Sequence, residues 1–458
     1  MPMNEATLKR TALLIATLAS FLTPYMVSSI NIALPAMGRE FQMSAVLMSW
    51  VPTSYILAAA MFLVPFGRLA DIIGRKRVFA YGMWVFTLSS LLLAFSPSAA
   101  VLIALRTVQG FGSAMIFGTG MAILTSVYPA RERGRVLGIN VAAVYLGLSL
   151  GPVLGGFLTQ QFGWRSIFLV NVPLGLLVIY LVAAKLKPEW AEAKGEPFDL
   201  IGSVIYSLTL VALMEGLSLL PAVAGMALIL IGIIGVAAFV VRERRTTTPL
   251  LNMDLFFHNT AFAFSNLAAL INYSATFAVT FLMSLYLQYI KSFTPQNAGM
   301  VLISQPVVMA FFSPIAGRLS DKIEPRVVAS VGMGFTATGL FLFTFLDRGS
   351  SLEFIIAGLV LLGFGFALFS SPNTNAVMSS IDRRYYGVGS ATLGTMRLTG
   401  QMLSMGIAMV IFTLHIGGAR ITPAYYPLFL TSVKTAFIIF AILCFGGIFA
   451  SLARGKVR

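Results

Sequence analysis

Gly67-Arg68-Leu69-Ala70-Asp71-Ile72-Ile73-Gly74-Arg75-Lys76-Arg77 decides how this chain is read, because its first five positions return as Gly317-Arg318-Leu319-Ser320-Asp321. Each block closes a long apolar run that contains a proline, Pro65 in the first and Pro314 in the second. Basic residues follow both copies: Arg75, Lys76 and Arg77 after the first, Lys322 and Arg326 after the second. A short polar block at matching places in two hydrophobic halves is the mark of an internally duplicated membrane protein.

The composition agrees with that reading. Of 458 residues, 58% are hydrophobic and 10% charged, against about 25% charged in an ordinary soluble protein. Mean hydropathy is +0.89. Apolar runs of about twenty residues recur along the chain, the length a helix needs to cross a hydrocarbon core of about 30 Å. The runs are continuous rather than alternating, which argues against a membrane barrel. The net charge of +15 does not mark a nucleic-acid binder, since the basic residues fall in short loops between apolar runs. The lone Cys444 lies inside an apolar run, cannot form an intramolecular disulfide, and reads as a packing residue. His258 and His415 are far apart in sequence and no cysteine pair accompanies them, so no metal site, cofactor or enzymatic constellation is expected. Lys9 and Arg10 precede an apolar stretch that runs on to about Leu34 without a convincing cleavage site, so it is expected to stay as the first helix.

Candidate spans fall near 11–35, 46–67, 78–96, 101–126, 136–158, 166–184, 201–220, 223–241, 262–290, 298–317, 327–346, 354–378, 387–414 and 430–452. That is fourteen, and an even number puts both termini on one side. Of 31 Lys and Arg, 23 fall on that side, among them Arg383, Arg384, Lys456 and Arg458, six fall opposite, and Arg106 and Arg397 lie inside spans. The positive-inside rule therefore predicts cytoplasmic termini. The repeat spacing places the extra pair of spans in the middle. The expected fold is an all-α membrane protein with two six-helix bundles and two inserted helices. Its segments are 1–190, an inserted pair with linkers at 191–258, and 259–458. Lys185–Asp199 mixes lysines with Glu189, Glu192 and Glu196 and reads as a solvated linker.

Several motifs resemble those of the major facilitator superfamily, and within it the fourteen-helix drug:proton antiporters. The Gly67–Arg77 loop resembles the superfamily signature between the second and third spans. Leu102-Ile-Ala-Leu-Arg106-Thr-Val-Gln109-Gly110-Phe-Gly112 is similar to its arginine-bearing motif, and Gly147-Leu-Ser-Leu-Gly151-Pro152-Val-Leu-Gly155-Gly156 to its antiporter motif. Asn31-Ile-Ala-Leu-Pro35, Trp164-Arg165 and Asn171-Val172-Pro173 complete the likeness. The resemblance implies a bacterial or archaeal cytoplasmic-membrane carrier, monomeric, that exports hydrophobic compounds by alternating access in exchange for protons. Export of one endogenous metabolite or lipid-like compound is the alternative.

The same resemblance suggests residue roles. It implies that Asp71 caps the start of the thirteenth span, around Tyr386–Gly389, an interaction worth about 0.3–1 kcal/mol. It implies too that Arg75 pairs with an acid at the end of the fourth span, for which Glu132 is nearest. With Gly67 and Gly74 allowing close approach, and Asp321 in the second copy, these residues form a candidate conformational switch; a solvated turn is the competing account. Gly147, Gly151, Gly155 and Gly156 are read as one glycine face bent by Pro152, and the family assigns it to the contact between halves. Arg106 is costly at membrane depth, about 2.5–3.5 kcal/mol on insertion scales, so it must face the interior. It either contributes to proton coupling or ties its helix to backbone carbonyls of a first helix bent at Pro24; both readings stand.

Candidate cavity residues are Asn31, Tyr55, Gln109, Tyr145, Asn272, Tyr273, Asn373, Arg397 and Gln401. Many fourteen-helix relatives carry an Asp where this chain has Met26, and only Glu215 lies clearly inside a span. Coupling candidates are therefore Arg106, Glu215 and Asp71. With so few interior acids, the expected substrates are hydrophobic and neutral, monocationic or anionic rather than dicationic.

Overall fold

The computed structural model describes residues 5–246, 249–251, 253–382 and 386–455; Arg383, Arg384, Lys456 and Arg458, used above for orientation, lie outside them. The regular elements among the described residues are all helices, with no strand among them. The first six rods are α1 (Glu5–Glu40), α2 (Ala45–Ile73), α3 (Arg75–Leu93), α4 (Ala99–Val127), α5 (Ala130–Phe162) and α6 (Arg165–Lys185). The middle pair is α7 (Leu200–Leu219) and α8 (Val223–Arg245), followed by the short α9 (Met253–His258). The later rods are α10 (Thr260–Thr276) continued by α11 (Ala278–Leu285), and α12 (Pro295–Leu302) continued by α13 (Ser304–Ser320). After them come α14 (Pro325–Leu342), α15 (Leu352–Ser379), α16 (Tyr386–His415) and α17 (Tyr426–Ala453).

Thirteen of these rods are long and apolar enough to cross a membrane. The fourteenth, α3, has 19 residues and begins Arg75-Lys76-Arg77, which dilutes its hydropathy. Helix starts are set by side-chain caps. Ser44, Ser98, Asp199, Asn259, Thr294 and Ser351 each accept a hydrogen bond from the amide three residues on, which satisfies one of the orphan donors of the first turn. Two rods break for identifiable reasons. Pro306 cannot donate to the Leu302 carbonyl, and α12 gives way to α13 at Ile303. Between α10 and α11 the Ala278 amide donates to Ser404 Oγ at 3.0 Å, so a side chain enters the helical ladder.

The packing repeats. In the first bundle α1 lies on α5 and α6, α2 on α4, and α3 on α4 and α6. In the second, α10 lies on α16 and α17, α13 on α15, and α14 on α15 and α17, which is the same set of neighbours in the same order. The bundles meet where α2 packs on α16, α5 on α12 and α13, and α1 on α11. The inserted α7 leans on α2 and α16, while α8 lies on α7. Leu230, Ile231, Ile233 and Ile234 of α8 are each more than half exposed, a surface suited to lipid. At the base of α7, burial raises the proton affinity of Asp199. The Gly202 amide and Arg242 outweigh it and hold the carboxyl below the usual carboxylate range.

Candidate functional site

The side that carries the start of α1 and the end of α17 is the terminal face; the opposite side is the far face. On the terminal face, Gly74 turns the chain between α2 and α3 with φ +120°, a conformation that only glycine adopts without strain. Arg75, the first residue of α3, then folds back on Asp71, with Nε 2.9 Å from Oδ1. Its Nη1 donates to Ser126 Oγ at 2.7 Å and to Glu192 Oε1 at 2.8 Å. The pairing of Arg75 with Glu132 is replaced: Glu132 sits 3.5 Å from Lys9, at the start of α1. Among the described residues Asp71 takes its side-chain hydrogen bond from Arg75 rather than from the start of α16.

The segment after α6 is not free in solvent. Glu189 accepts from the Lys76 amide at 2.9 Å, and a Cβ at Gly74 would collide with its carboxylate. The Arg75 amide donates to Trp190 O at 2.8 Å, the Ala193 amide to Asp71 O at 2.9 Å, and Arg68 Nη2 to Glu196 at 2.5 Å. Acidic residues 189–196 therefore form a strap across the loop. In the second copy of the block, Asn375 Nδ2 donates to Ser320 Oγ at 3.0 Å and reaches Asp321 Oδ1 at 3.5 Å.

Arg106 is fully buried inside the first bundle. Its Nε donates to the Val51 carbonyl of α2 at 3.2 Å, its Nη1 to Gln109 Oε1 at 2.5 Å, and its guanidinium lies 4.3 Å from the Tyr55 ring centroid. Gln109 Nε2 donates onward to Ser90 of α3 at 2.7 Å, and the Tyr55 hydroxyl bonds Ser113 at 2.6 Å. Arg106 thus binds α4 to α2 and α3, not to a bent α1. Tyr55 and Gln109 belong to that network instead of lining a cavity.

The glycines of α5 divide between two neighbours. A Cβ on Gly147, Gly151 or Gly155 would meet Phe21, Ser28 or Ser29 of α1, within the same bundle. Gly156 instead touches Pro295 and Gln296, and Gly299 of α12 rests on the backbone of Pro152. Pro152, Val153 and Gly156 of this motif meet the second bundle, because the helix presents its four-residue stripe to α1 and a neighbouring face to α12. Other bonds close the same side. Ser284 and Gln288 donate to the Asn31 and Ile32 carbonyls at 2.7 and 3.0 Å, the Ala45 amide to Ala419 O at 3.3 Å, and Arg420 bonds Gln42. Asn31 therefore stands at the far-face seam.

At mid-depth the bundles meet through Ser313 Oγ, which donates to the Tyr145 hydroxyl at 3.1 Å. Tyr145 packs with Tyr273, Met309 and Phe366. Tyr273 stands edge-on to Phe366 with centroids 5.4 Å apart, and Arg397 lies 5.7 Å from the Tyr273 ring centroid. Arg397 Nη2 donates to Thr374 Oγ1 at 2.9 Å. Gln401 follows one turn on, half-buried. Asn272 is fully buried with both amide atoms unpartnered. Asn373 is withdrawn from this cluster: it donates to Ser265 O at 3.1 Å and accepts from Arg454 at 3.0 Å. Glu215 lies one turn before Ser218, which bonds Trp50 near the far-face start of α2. Met26 is fully buried and its sulfur accepts from Asn171 Nδ2 at 3.4 Å.

Sequence reasoning passed over several participants. Thr374, Ser313, Met309 and Phe366 carry no signal that sets them apart from the many hydroxyl, Met and Phe positions of an apolar chain. Arg454 looked like one more terminal topology charge, but is 1% exposed and bonded to Ser265, Asn373 and Ser451. Burial pulls its guanidinium down to about 10.

Comparison with known proteins adds the following. A family model described as Major Facilitator Superfamily matches residues 16–253 and 265–456. The riboflavin transporter RibZ of Clostridioides difficile is 30% identical over 392 residues, covering 84% of each chain. The multidrug resistance protein Stp of Mycobacterium tuberculosis is 32% identical over 384 residues, covering 82% of this chain and 71% of Stp. Among solved structures, a peptide transporter POT superposes with a TM-score of 0.71 at 12% identity, covering 97% of this chain and 98% of the transporter. At that identity the likeness speaks for the fold alone.

Proposed function

The chain belongs to the major facilitator superfamily, and on that premise we propose that it exports hydrophobic small molecules across the cytoplasmic membrane by alternating access, in exchange for protons. It is a multi-pass membrane transporter, not an enzyme. The observation that carries the alternating-access part of this reading is the seam itself. Gly156 and Gly299 bring two similar bundles into backbone contact on the far face, while aromatic and polar side chains of both bundles meet at mid-depth. Contact of that kind, tight and made without interlocking side chains, is what rocking of one bundle on the other requires. The name of Stp fits the same reading.

In this account the chain divides at 1–190, 191–258 and 259–458, belongs to the fourteen-helix drug:proton antiporters and works as a monomer. The excess of Lys and Arg makes the terminal face cytoplasmic. Gly67, Asp71, Gly74 and Arg75, now joined by Glu189 and Glu192, form the switch on that face. Asp71 and Glu215 are the carboxylates available for proton exchange, and Tyr145, Tyr273, Arg397 and Gln401 border the substrate path. A second reading, an exporter of one compound without proton coupling, is favoured by Met26. That position holds a buried thioether bonded to Asn171 instead of a titratable group.

Purified protein in proteoliposomes, loaded with a hydrophobic fluorescent dye under an imposed pH gradient, separates the two. Gradient-driven transport that is lost in Asp71→Asn or Glu215→Gln is the expected result. Transport indifferent to the gradient leaves the uncoupled exporter, and charge reversal at Asp71 without effect on rate removes the switch.

A further inference from the structure

We propose that Arg397 is the docking point for an anionic group on the transported molecule, in a subsite walled by both bundles. The inference rests on the export reading and narrows it to organic anions with an aromatic or apolar body. Arg397 is the twelfth of thirty residues in α16, near the middle of the rod. Its partners among the described residues are the Thr374 hydroxyl at 2.9 Å and the face of Tyr273, with no carboxylate. Its Nε is unpartnered and shielded from solvent. The walls come from α10, α13, α15 and α16 of the second bundle and, through Tyr145, from α5 of the first.

Two other arginines show what a purely structural charge looks like here. Arg106 is 0% exposed, with Nε and Nη1 bonded inside its own bundle and Nη2 unpartnered, and Arg454 is 1% exposed with all three nitrogens bonded inside its own. Arg397 differs in its place: it is half-buried and stands on the Tyr273 ring, which packs with Tyr145 of the other bundle. A guanidinium edge presents parallel donors that match a carboxylate, sulfonate or phosphate in two bonds, which a hydroxyl and a ring cannot supply. Charge balance points the same way. Glu215 lies on α7 toward the far face, one turn from the Trp50–Ser218 bond, and Glu243 sits in the last turn of α8, accepting from the Leu251 amide. With a fixed cation at mid-depth, an incoming anion restores neutrality in a low-dielectric site, whereas a cation meets like charge. Tyr273, Phe366 and Met309 then offer flat and adaptable surfaces for the rest of the molecule.

The test uses full-length protein in proteoliposomes at zero membrane potential and equal pH, so that neither gradient favours a sign of charge. Counterflow is measured with fluorescein, an anion, and rhodamine 123, a monocation built on the same three-ring frame. The wild type is expected to move fluorescein faster by about tenfold, equivalent to roughly 1.4 kcal/mol. Arg397→Gln is expected to bring the ratio to about one, and Arg397→Lys to keep most of it, since the charge survives while the fork is lost. Equal or reversed rates in the wild type, or an unchanged ratio in Arg397→Gln, overturn the anion subsite and leave export standing. A wild type that moves neither dye overturns export and subsite together. Should Arg397→Gln not fold, the wild-type ratio and its retention in Arg397→Lys decide.

Discussion

Arg106 and Arg75 show how differently one residue type behaves at two depths. Arg106 is sealed with a carbonyl, an amide oxygen and an aromatic face, and no acid is among its partners. Its burial costs about 2.5–3.5 kcal/mol on insertion scales, while each hydrogen bond from a charged group returns about 1.5–3 kcal/mol. The two nearly cancel, and replacing a buried charge by an apolar side chain of similar volume is often neutral. Arg106→Met, however, leaves the buried Gln109 Oε1 without its donor, and is expected to destabilise the protein in detergent by about 1–3 kcal/mol. If the variant still transports normally, Arg106 has no part in coupling; unfolding unchanged from the wild type sinks its structural role. The identity and depth of Arg106 were legible in the sequence. Its partners were not, because which carbonyl an arginine reaches depends on the rotation of α4 against α2.

Among the elements, the strap after α6 changes most between sequence and structure. Charged residues at 185–199 read as solvated because composition records the affinity for water and not the presence of a partner. In the fold, that segment places Glu189, Glu192 and Glu196 on the basic loop that the duplicated block opens. Glu192 is 68% exposed, so its bond to Arg75 is worth at most about 1 kcal/mol. Arg75 has three partners, and removing it withdraws support from both sides of the strap. Arg75→Ala is expected to speed tryptic cleavage at Lys194 by more than Glu192→Gln does, the latter by no more than about fivefold. Equal cleavage in Arg75→Ala and the wild type removes the strap as a structural element. Capping at Ser44, Ser98 and Thr294, by contrast, is a contact over three residues and needs no distant partner.

For the whole molecule, the seam is the deciding feature. The two bundles share one packing order, and their far-face contacts combine glycine backbones with bonds between loops, including Ala45 to Ala419. That backbone bond brings the two residues within reach of a disulfide. The sole native cysteine, Cys444, is buried elsewhere. Ala45→Cys with Ala419→Cys, once oxidised, is expected to hold the far face closed and stop transport, with recovery on reduction. Undiminished transport by the oxidised protein defeats alternating access about this seam. Sequence by itself determined the all-helical membrane fold and the superfamily, because hydropathy and motifs act over short stretches of chain; the helix ends moved, α1 running Glu5–Glu40 against an expected 11–35. Tertiary structure alone decided which glycines meet α1 and which meet α12, where the linker acids go, and which of the buried arginines stays open at the seam. Those outcomes depend on how rods rotate against neighbours far away in the chain, and no local pattern encodes that rotation. The Gly67–Asp71 repeat thus marked the duplication, while the partners of its first copy came from a linker more than a hundred residues further along the chain.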